Sequence, residues 1–253
     1  SCAVRASSKW GYAPTSPAST ASSSAGDDAF RSYSDKKASI VTAIVSVERD
    51  GPLAARSSLE RVVGGGGVAV FPADGLYGLA CDPGRTDAVE RIQALKRRDP
   101  GKPSAVMFFA PLAMRELVST LGARTRDAFA ALLPGPVTLV VHNRERLYPL
   151  ACGPDPERLG VRLIEGPLAG AACAILQTSA NRSGDRAPAG FDELEPRIVA
   201  GADLAIDGGE LAGSPSTVVD LTKIDAGEDW TILREGALSP KEVGRRLEPD
   251  RGW

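Results

Sequence analysis

An α/β fold with a mixed, largely buried β-sheet is predicted by three features of this 253-residue sequence. Short apolar stretches such as 68–71 and 105–109 alternate with segments whose apolar residues recur every three or four positions. The first pattern is typical of buried strands and the second of amphipathic helices. Strands that are apolar throughout are expected where helices cover the sheet. Several predicted strands follow one another without a long helix between them, so we expect a mixed sheet rather than a parallel one.

The first elements of the globular region alternate helix and strand. Apolar residues from 53 to 63 predict a helix that must end at four consecutive glycines. This glycine run precedes a strand and lacks phosphate-loop spacing, so we interpret it as a helix stop. After the strand at 68–71, Thr86 is the expected N-cap of a second helix. That helix delivers Lys96 and Arg98 at its C-terminal end, where the helix dipole favours cations.

The remaining elements are predicted from the same two patterns. Strands are expected at 105–109, 137–141, 160–163, 174–177, 203–206, 217–221 and 231–233. Helices are expected near 111–121, 124–133, 166–173, 191–199 and 240–247.

Residues 1–38 differ in composition from the globular region at 53–247. They are rich in Ser and Ala and show almost no apolar periodicity, so we expect them to be disordered. They contain arginines and no acidic residue before Asp27, which resembles an organelle transit peptide. The segment is therefore either a tail, with the protein in the cytoplasm, or a targeting signal for plastid or mitochondrion.

Composition excludes several function classes. The net charge of −2 gives no general attraction to nucleic acid or an anionic membrane, so any anion site must be local. The four cysteines form no CxxC pair, which argues against a zinc site and a disulfide framework. The single histidine, His142, follows a predicted strand, and we expect it at the surface rather than in a catalytic triad. No apolar run approaches the ~20 residues that span a bilayer.

Polar side chains stand where several predicted strands end. In the loop after strand 68–71, Asp74 orients a backbone amide or a ligand amine, or simply stabilises a turn. Arg162 lies within a short apolar strand, where burial of a cation is costly unless it meets an anion. We favour ligand contact over a structural ion pair for this side chain. Ser179 has no histidine to activate it, so it and Asn181 are expected to hydrogen-bond a ligand.

Five cations and several hydroxyl groups make up the candidate site. The cations are Lys96, Arg98, Lys102, Arg162 and Arg234, and the hydroxyl groups belong to Thr138, Ser179 and Ser216. With no evident nucleophile or base, this inventory favours electrostatic stabilisation of a polyphosphate. Mg²⁺ is expected to accompany the nucleotide, held by phosphates and water, so no protein metal ligand is predicted.

Seven motifs occur in a fixed order along residues 55–240. They are PADGLYGLA, LKRRDPGKP, PGPVTLVV, GVRL, TSANRSG, PSTVVDL and LREGA. In this order the chain resembles the YrdC-like threonylcarbamoyladenylate synthases, whose paired KxR and SxN signature is matched at 96–98 and 179–181.

The resemblance implies a fold and an activity. The fold is a twisted, mixed β-sheet flanked by helices with a positively charged concave face, as in YrdC and RibB. The activity is a nucleotidyl transfer from L-threonine, bicarbonate and ATP to threonylcarbamoyl-AMP and pyrophosphate. The product then passes to the machinery that makes threonylcarbamoyladenosine in tRNA. Weak binding of double-stranded RNA and no membrane partner are also implied.

The resemblance also implies residue roles. The expected catalytic residues are Lys96 and Arg98. The expected ATP-binding residues are Arg98, Lys102, Asn181 and Arg234. The expected threonine-binding residues are Gly75, Arg162, Ser179 and Ser216.

Three positions depart from the pattern of these synthases. Ala73 and Gly75 stand where the family usually has threonines, and Met107 stands where many members have histidine. We expect Gly75 to leave a space in the threonine pocket that a water molecule can fill, and so to tune specificity. The main alternative is a paralogue that binds nucleotide or RNA without synthase activity. Carbamoyl-adenylate chemistry of the hydrogenase-maturation type is disfavoured because zinc-finger cysteine pairs are missing.

Overall fold

The computed structural model describes residues 42–248, and the predictions for residues 1–38 lie outside this range. Ten strands in the described range form one mixed sheet. In chain order they are β1 (Ala43–Ser46), β2 (Ala69–Pro72), β3 (Tyr77–Cys81), β4 (Ala105–Phe108), β5 (Val137–His142), β6 (Arg158–Leu163), β7 (Ile175–Ser179), β8 (Leu204–Asp207), β9 (Thr217–Asp220) and β10 (Thr231–Arg234). Their order across the sheet is β1-β8-β2-β3-β7-β4-β6-β5-β9-β10, which confirms the predicted mixed α/β architecture.

Six α-helices accompany the sheet in this part of the chain. They are α1 (Val47–Gly64), α2 (Thr86–Lys96), α3 (Arg115–Thr120), α4 (Ala123–Leu132), α5 (Pro196–Ala200) and α6 (Pro240–Leu247). Helix α1 buries Ala55, Leu59 and Val63 in a core cluster with strand residues such as Phe71 and Ile206. None of the helices within 42–248 is long and apolar enough to cross a bilayer.

The register of the central strands builds one polar face of the sheet. Gly160 of β6 lies opposite Ala105 of β4 and Val140 of β5. Arg162 lies two residues further along β6. Because side chains alternate between the two faces of a strand, these residues share a face. Gln177 of β7, opposite Ala105, extends the same row.

One predicted helix is wrong and a second is only partly correct. Residues 166–173 form turns, in which Gly166 and Gly170 adopt φ values of 104° and 93° that a helix cannot contain. Of the predicted helix 191–199, only the last part is helical, in α5.

The other corrections concern element starts and two missed strands. Residues 77–81, for which no strand was predicted, form β3 because their backbone pairs with both β2 and β7. The edge strand β1 was not predicted. Helix α1 begins at Val47 and is interrupted at Gly51, where φ is 83°. Thr86 is not the N-cap of α2: Arg85 holds that position, and Thr86 lies in the first turn.

Candidate functional site

A cavity of about 490 Å³ lies over the polar face of the sheet. Its floor is formed by Gln177, Ala105, Gly160 and Val140, side by side on β7, β4, β6 and β5. Four arginines line the same cavity: Arg98, Arg158, Arg162 and Arg234. The cavity is therefore suited to an anionic ligand.

Arg162 is both an ion-pair partner and a cavity residue. It is 5% exposed, its Nη2 group forms a salt bridge with Asp74, and its Nη1 group donates to Gln177 Oε1 over 3.2 Å. The Nε group of Arg162 and the Oδ2 atom of Asp74 are buried without a hydrogen-bond partner among the described residues. Arg162 is thus in a structural ion pair, the alternative that the sequence disfavoured, and contact with a ligand stays a prediction.

Arg98 reaches the cavity because the chain turns sharply after α2. Arg97 has a left-handed conformation with φ 48°, and Arg98 then donates to the Pro103 carbonyl over 2.6 Å and to Thr178 Oγ1 over 3.4 Å. Burial lowers the pKa of Arg98. Its Nε atom is buried without a hydrogen-bond partner in the described part of the chain.

Lys96 lies in the core, although a lysine at the end of a helix is normally exposed. It is 1% exposed and does not line the cavity. Its Nζ group donates to the carbonyl of Ser179 and, over 2.6 Å, to the carbonyl of Asn181. Burial, with repulsion from Arg98, lowers the pKa of Lys96 to about 7. Lys96 therefore holds the end of β7 in place beneath the site.

Ser179 and Asn181 have different surroundings although they belong to one motif. Ser179 lines the cavity, and its hydroxyl donates to Asn181 Oδ1 over 2.5 Å. Asn181 donates to the Asp185 carbonyl over 2.6 Å and lines a separate concavity of about 360 Å³. Lys102 is exposed and lines neither concavity.

The far wall of the cavity joins two hydroxyl groups and an arginine. Thr138 Oγ1 and Ser216 Oγ lie 2.9 Å apart, and Arg234 Nη2 donates to the Ser216 carbonyl over 2.7 Å and to its hydroxyl over 3.1 Å. Burial and then repulsion from Arg162 lower the pKa of Arg234. Arg162 and Arg234 are therefore close enough to repel each other. An anion bound between them would relieve this repulsion.

Gly75 does not leave the space that the sequence suggested. A Cβ atom placed on Gly75 would overlap the carbonyl oxygen of Ser214, and Gly75 O accepts a hydrogen bond from Gly213 N over 2.9 Å. Residues 208–216, which we call the strap, occupy this space. Tyr77 tethers the strap start, because its hydroxyl accepts from Gly208 N over 2.9 Å and donates to Gly209 O over 2.8 Å.

Several cavity residues were not identified from the sequence, among them Arg158, Asp155 and Leu233. Arg158 lies four residues before Arg162 on β6, so the alternation of a strand could have placed it on the same face. Asp155 and Leu233 had no comparable signal. No group of three His, Cys, Asp or Glu side chains within 42–248 could hold a metal ion.

Comparisons with known proteins agree with this architecture. The Sua5/YciO/YrdC family model, described as "Telomere recombination", matches residues 61–236. The threonylcarbamoyl-AMP synthase of Nitrosococcus oceani is 38% identical over 134 residues, which cover 51% of this chain and 71% of the relative. The corresponding protein of Pseudomonas aeruginosa is 35% identical over 168 residues, which cover 64% of this chain and 89% of the relative.

Solved structures show the same fold. A variant of P. abyssi Sua5 superposes with a TM-score of 0.72 at 26% identity, over 81% of this chain and 60% of that one. E. coli YciO superposes with a TM-score of 0.67 at 23% identity, over 80% of this chain and 98% of that one. The chain belongs to the Sua5/YciO/YrdC family.

Proposed function

We propose that this protein is a threonylcarbamoyl-AMP synthase, a nucleotidyltransferase that acts on L-threonine, bicarbonate and ATP. The observation that carries the proposal is the convergence of Arg98, Arg162 and Arg234 on one cavity. Its relatives in N. oceani and P. aeruginosa bear this name, which supports the same reaction here. The product would be used to modify tRNA.

The reaction needs charge stabilisation more than covalent chemistry. The threonine nitrogen attacks the carbon of bicarbonate, a C–N bond forms, and water is lost. An oxygen of the resulting carbamate attacks the α-phosphorus of ATP, and the bond to the β-phosphate breaks as pyrophosphate leaves. Negative charge grows on the phosphate oxygens, where preorganised cations in a cavity are effective. Mg²⁺ would bind with the nucleotide through its phosphates and water.

The geometry supports a division of roles. Arg162 and Asp74 would hold the carboxylate and amine of threonine, because each retains a buried polar atom without a partner in the described range. Ser179 would contact the amino acid from the opposite side. Arg98 and Arg234 would face the phosphates.

The expected roles of four residues are revised in this proposal. Lys96 and Asn181 would act as positioning residues, since neither lines the cavity and both fix Ser179. Lys102 would attract the nucleotide from the surface. Ser216 would position Arg234, to which it is hydrogen-bonded, as well as face threonine.

Pyrophosphate release by the full chain tests the proposal. Release should require ATP, bicarbonate and threonine together, and Arg98→Met should reduce it at least tenfold. Arg146→Met is a charge-matched control, because Arg146 is exposed and lies outside the cavity. Release without threonine, or ATP binding with no release, would reject the synthase and favour the binding-only paralogue.

A further inference from the structure

The strap covers Gly75 at the point where the loop after β2 reaches the cavity. Of residues 73–77, all but Gly75 line the cavity. Ser214 lines it instead, and the Ser214 carbonyl oxygen lies where a Cβ atom on Gly75 would be placed. The strap therefore takes the position in the cavity wall that a side chain at residue 75 would otherwise occupy.

Backbone contacts hold the strap in this position. Gly213, with a φ of 75°, donates its N–H to the Gly75 carbonyl over 2.9 Å, and Leu211 N donates to the Ala189 carbonyl over 3.0 Å. A side chain on Gly75 would overlap the Ser214 carbonyl. Because a backbone carbonyl cannot rotate aside as the end of a side chain can, this overlap would displace the strap. Glycine at position 75 is thus required for the observed position of the strap.

Ser214 lies close to the ion pair for which we propose contact with the amino acid. It lies against Gly75, the residue that follows Asp74, and Asp74 forms the salt bridge with Arg162. Ser214 is exposed, and its hydroxyl has no hydrogen-bond partner within residues 42–248. A serine hydroxyl can both donate and accept hydrogen bonds, so it is suited to a polar group on the side chain of a bound amino acid.

We propose that Ser214 selects the side chain of the amino acid substrate and that Gly75 allows the strap to hold Ser214 in place. The Ser214 hydroxyl forms a hydrogen bond with the side-chain hydroxyl of L-threonine. It thereby favours threonine over valine, in which a methyl group replaces that hydroxyl. A site that binds a hydroxyl discriminates against an analogue without one, because a polar group of the site then loses its partner. This inference rests on the proposed function, since it takes threonine as the substrate.

Comparison of L-threonine with L-valine isolates the hydroxyl contact from the rest of the site. Calorimetry with the full chain measures the affinity for both amino acids in wild type and in Ser214→Ala. We expect about two- to tenfold weaker threonine binding by the variant and unchanged valine binding. Ser57→Ala is the matched control, because Ser57 is exposed and lies outside the cavity. Equal losses for both amino acids, or no loss for either, would overturn the assignment of Ser214.

Gly75→Ala tests whether the strap places Ser214. Its Cβ should displace Ser214, so this variant should lose as much of the preference for threonine over valine as Ser214→Ala does. The double variant should lose no more than either single variant, because both changes remove the same contact. Hydrogen exchange should become faster in residues 209–215, since the Gly213 N–H loses its acceptor. Unchanged exchange in this segment, or additive losses of preference, would overturn the role of Gly75.

The remaining outcomes separate this proposal from the synthase. Wild-type protein that binds threonine no more tightly than valine, or that binds neither, has no hydroxyl contact of this kind. An unchanged preference for threonine in Ser214→Ala, in an active synthase, rejects the role of Ser214 alone. Selective loss of threonine binding in Ser214→Ala, from a protein that releases no pyrophosphate, supports the contact and rejects the synthase.

Discussion

Replacement of Lys96 by methionine removes a buried ammonium group that joins the end of α2 to the end of β7. The wild-type group donates to two backbone carbonyls, those of Ser179 and Asn181. Leaving these carbonyls without this donor costs about 1–3 kcal/mol each, so the variant should lose about 2–6 kcal/mol of the free energy of unfolding near neutral pH. Methionine retains most of the apolar volume, which limits any cavity.

The free energy of unfolding that Lys96→Met loses should also increase with pH. The pKa of Lys96 falls from 10.5 to about 7 on folding, through burial and then the charge of Arg98. Between these values the unfolded chain binds more protons than the folded one, so the Lys96 contribution to stability rises with pH. The slope is at most about 1.4 kcal/mol per pH unit. Because methionine does not titrate, the cost of Lys96→Met should grow by about 2 kcal/mol between pH 7 and pH 9.

Urea unfolding of the full chain between pH 6 and pH 9 measures this difference. Lys102→Met is the control, because Lys102 is an exposed lysine a few residues away. The free energy of unfolding that Lys102→Met loses should be small and should not change with pH. A constant cost for Lys96→Met would refute the reasoning, since it would mean that the two carbonyls keep the ammonium charged over the whole range.

Three further predictions concern other residues of the site. Gly75→Ala should lower the free energy of unfolding by about 1–3 kcal/mol, measured in urea, because its Cβ overlaps the Ser214 carbonyl; a stabilised variant would contradict the packing of the strap. Asp74→Ala should destabilise the protein by about 3–5 kcal/mol in the same assay, because it leaves Arg162 buried with no carboxylate; a change below about 1 kcal/mol would argue that solvent reaches this pair. Burial raises the pKa of Cys152, so iodoacetamide at pH 8 should label this thiol more slowly than an exposed cysteine. Peptide mass spectrometry measures the labelling rate. Labelling as fast as that of a small-molecule thiol would show that the cavity wall opens.

Local patterns were sufficient for most of the sheet and for part of the site. Apolar runs identified eight strands because buried strands need continuous apolar residues. Arg162 and Ser216 could be identified as candidate site residues because each is a polar residue within or directly beside an apolar strand. A polar side chain at such a position needs a partner, and a ligand is one of the few that can supply it. Helix α6 matched its predicted bounds, since Ser239 caps it and Pro240 begins it.

The features that local patterns could not predict depend on contacts between distant parts of the chain. Lysine at a helix end is normally exposed, but the Lys96 ammonium is hydrogen-bonded to the end of β7 and to Asn181, more than 80 residues later. The strap, which is also distant in sequence, fills the space beside Gly75. The absence of a side chain at Gly75 therefore leaves no empty space. The segment 77–81 contains a glycine and follows a proline, but pairing on both sides made it a strand.

The pairing of β1 with β8 has a consequence for synthesis on the ribosome. Residues 43–46 lie parallel to residues 204–207 at one edge of the sheet. At translation rates of about 5–20 residues per second, roughly ten to thirty seconds separate the appearance of the two strands. During that interval the nascent chain exposes the backbone of β1 and the apolar residues that α1 later buries. A chaperone that binds early nascent chains should therefore engage this segment before the enzyme can close its sheet.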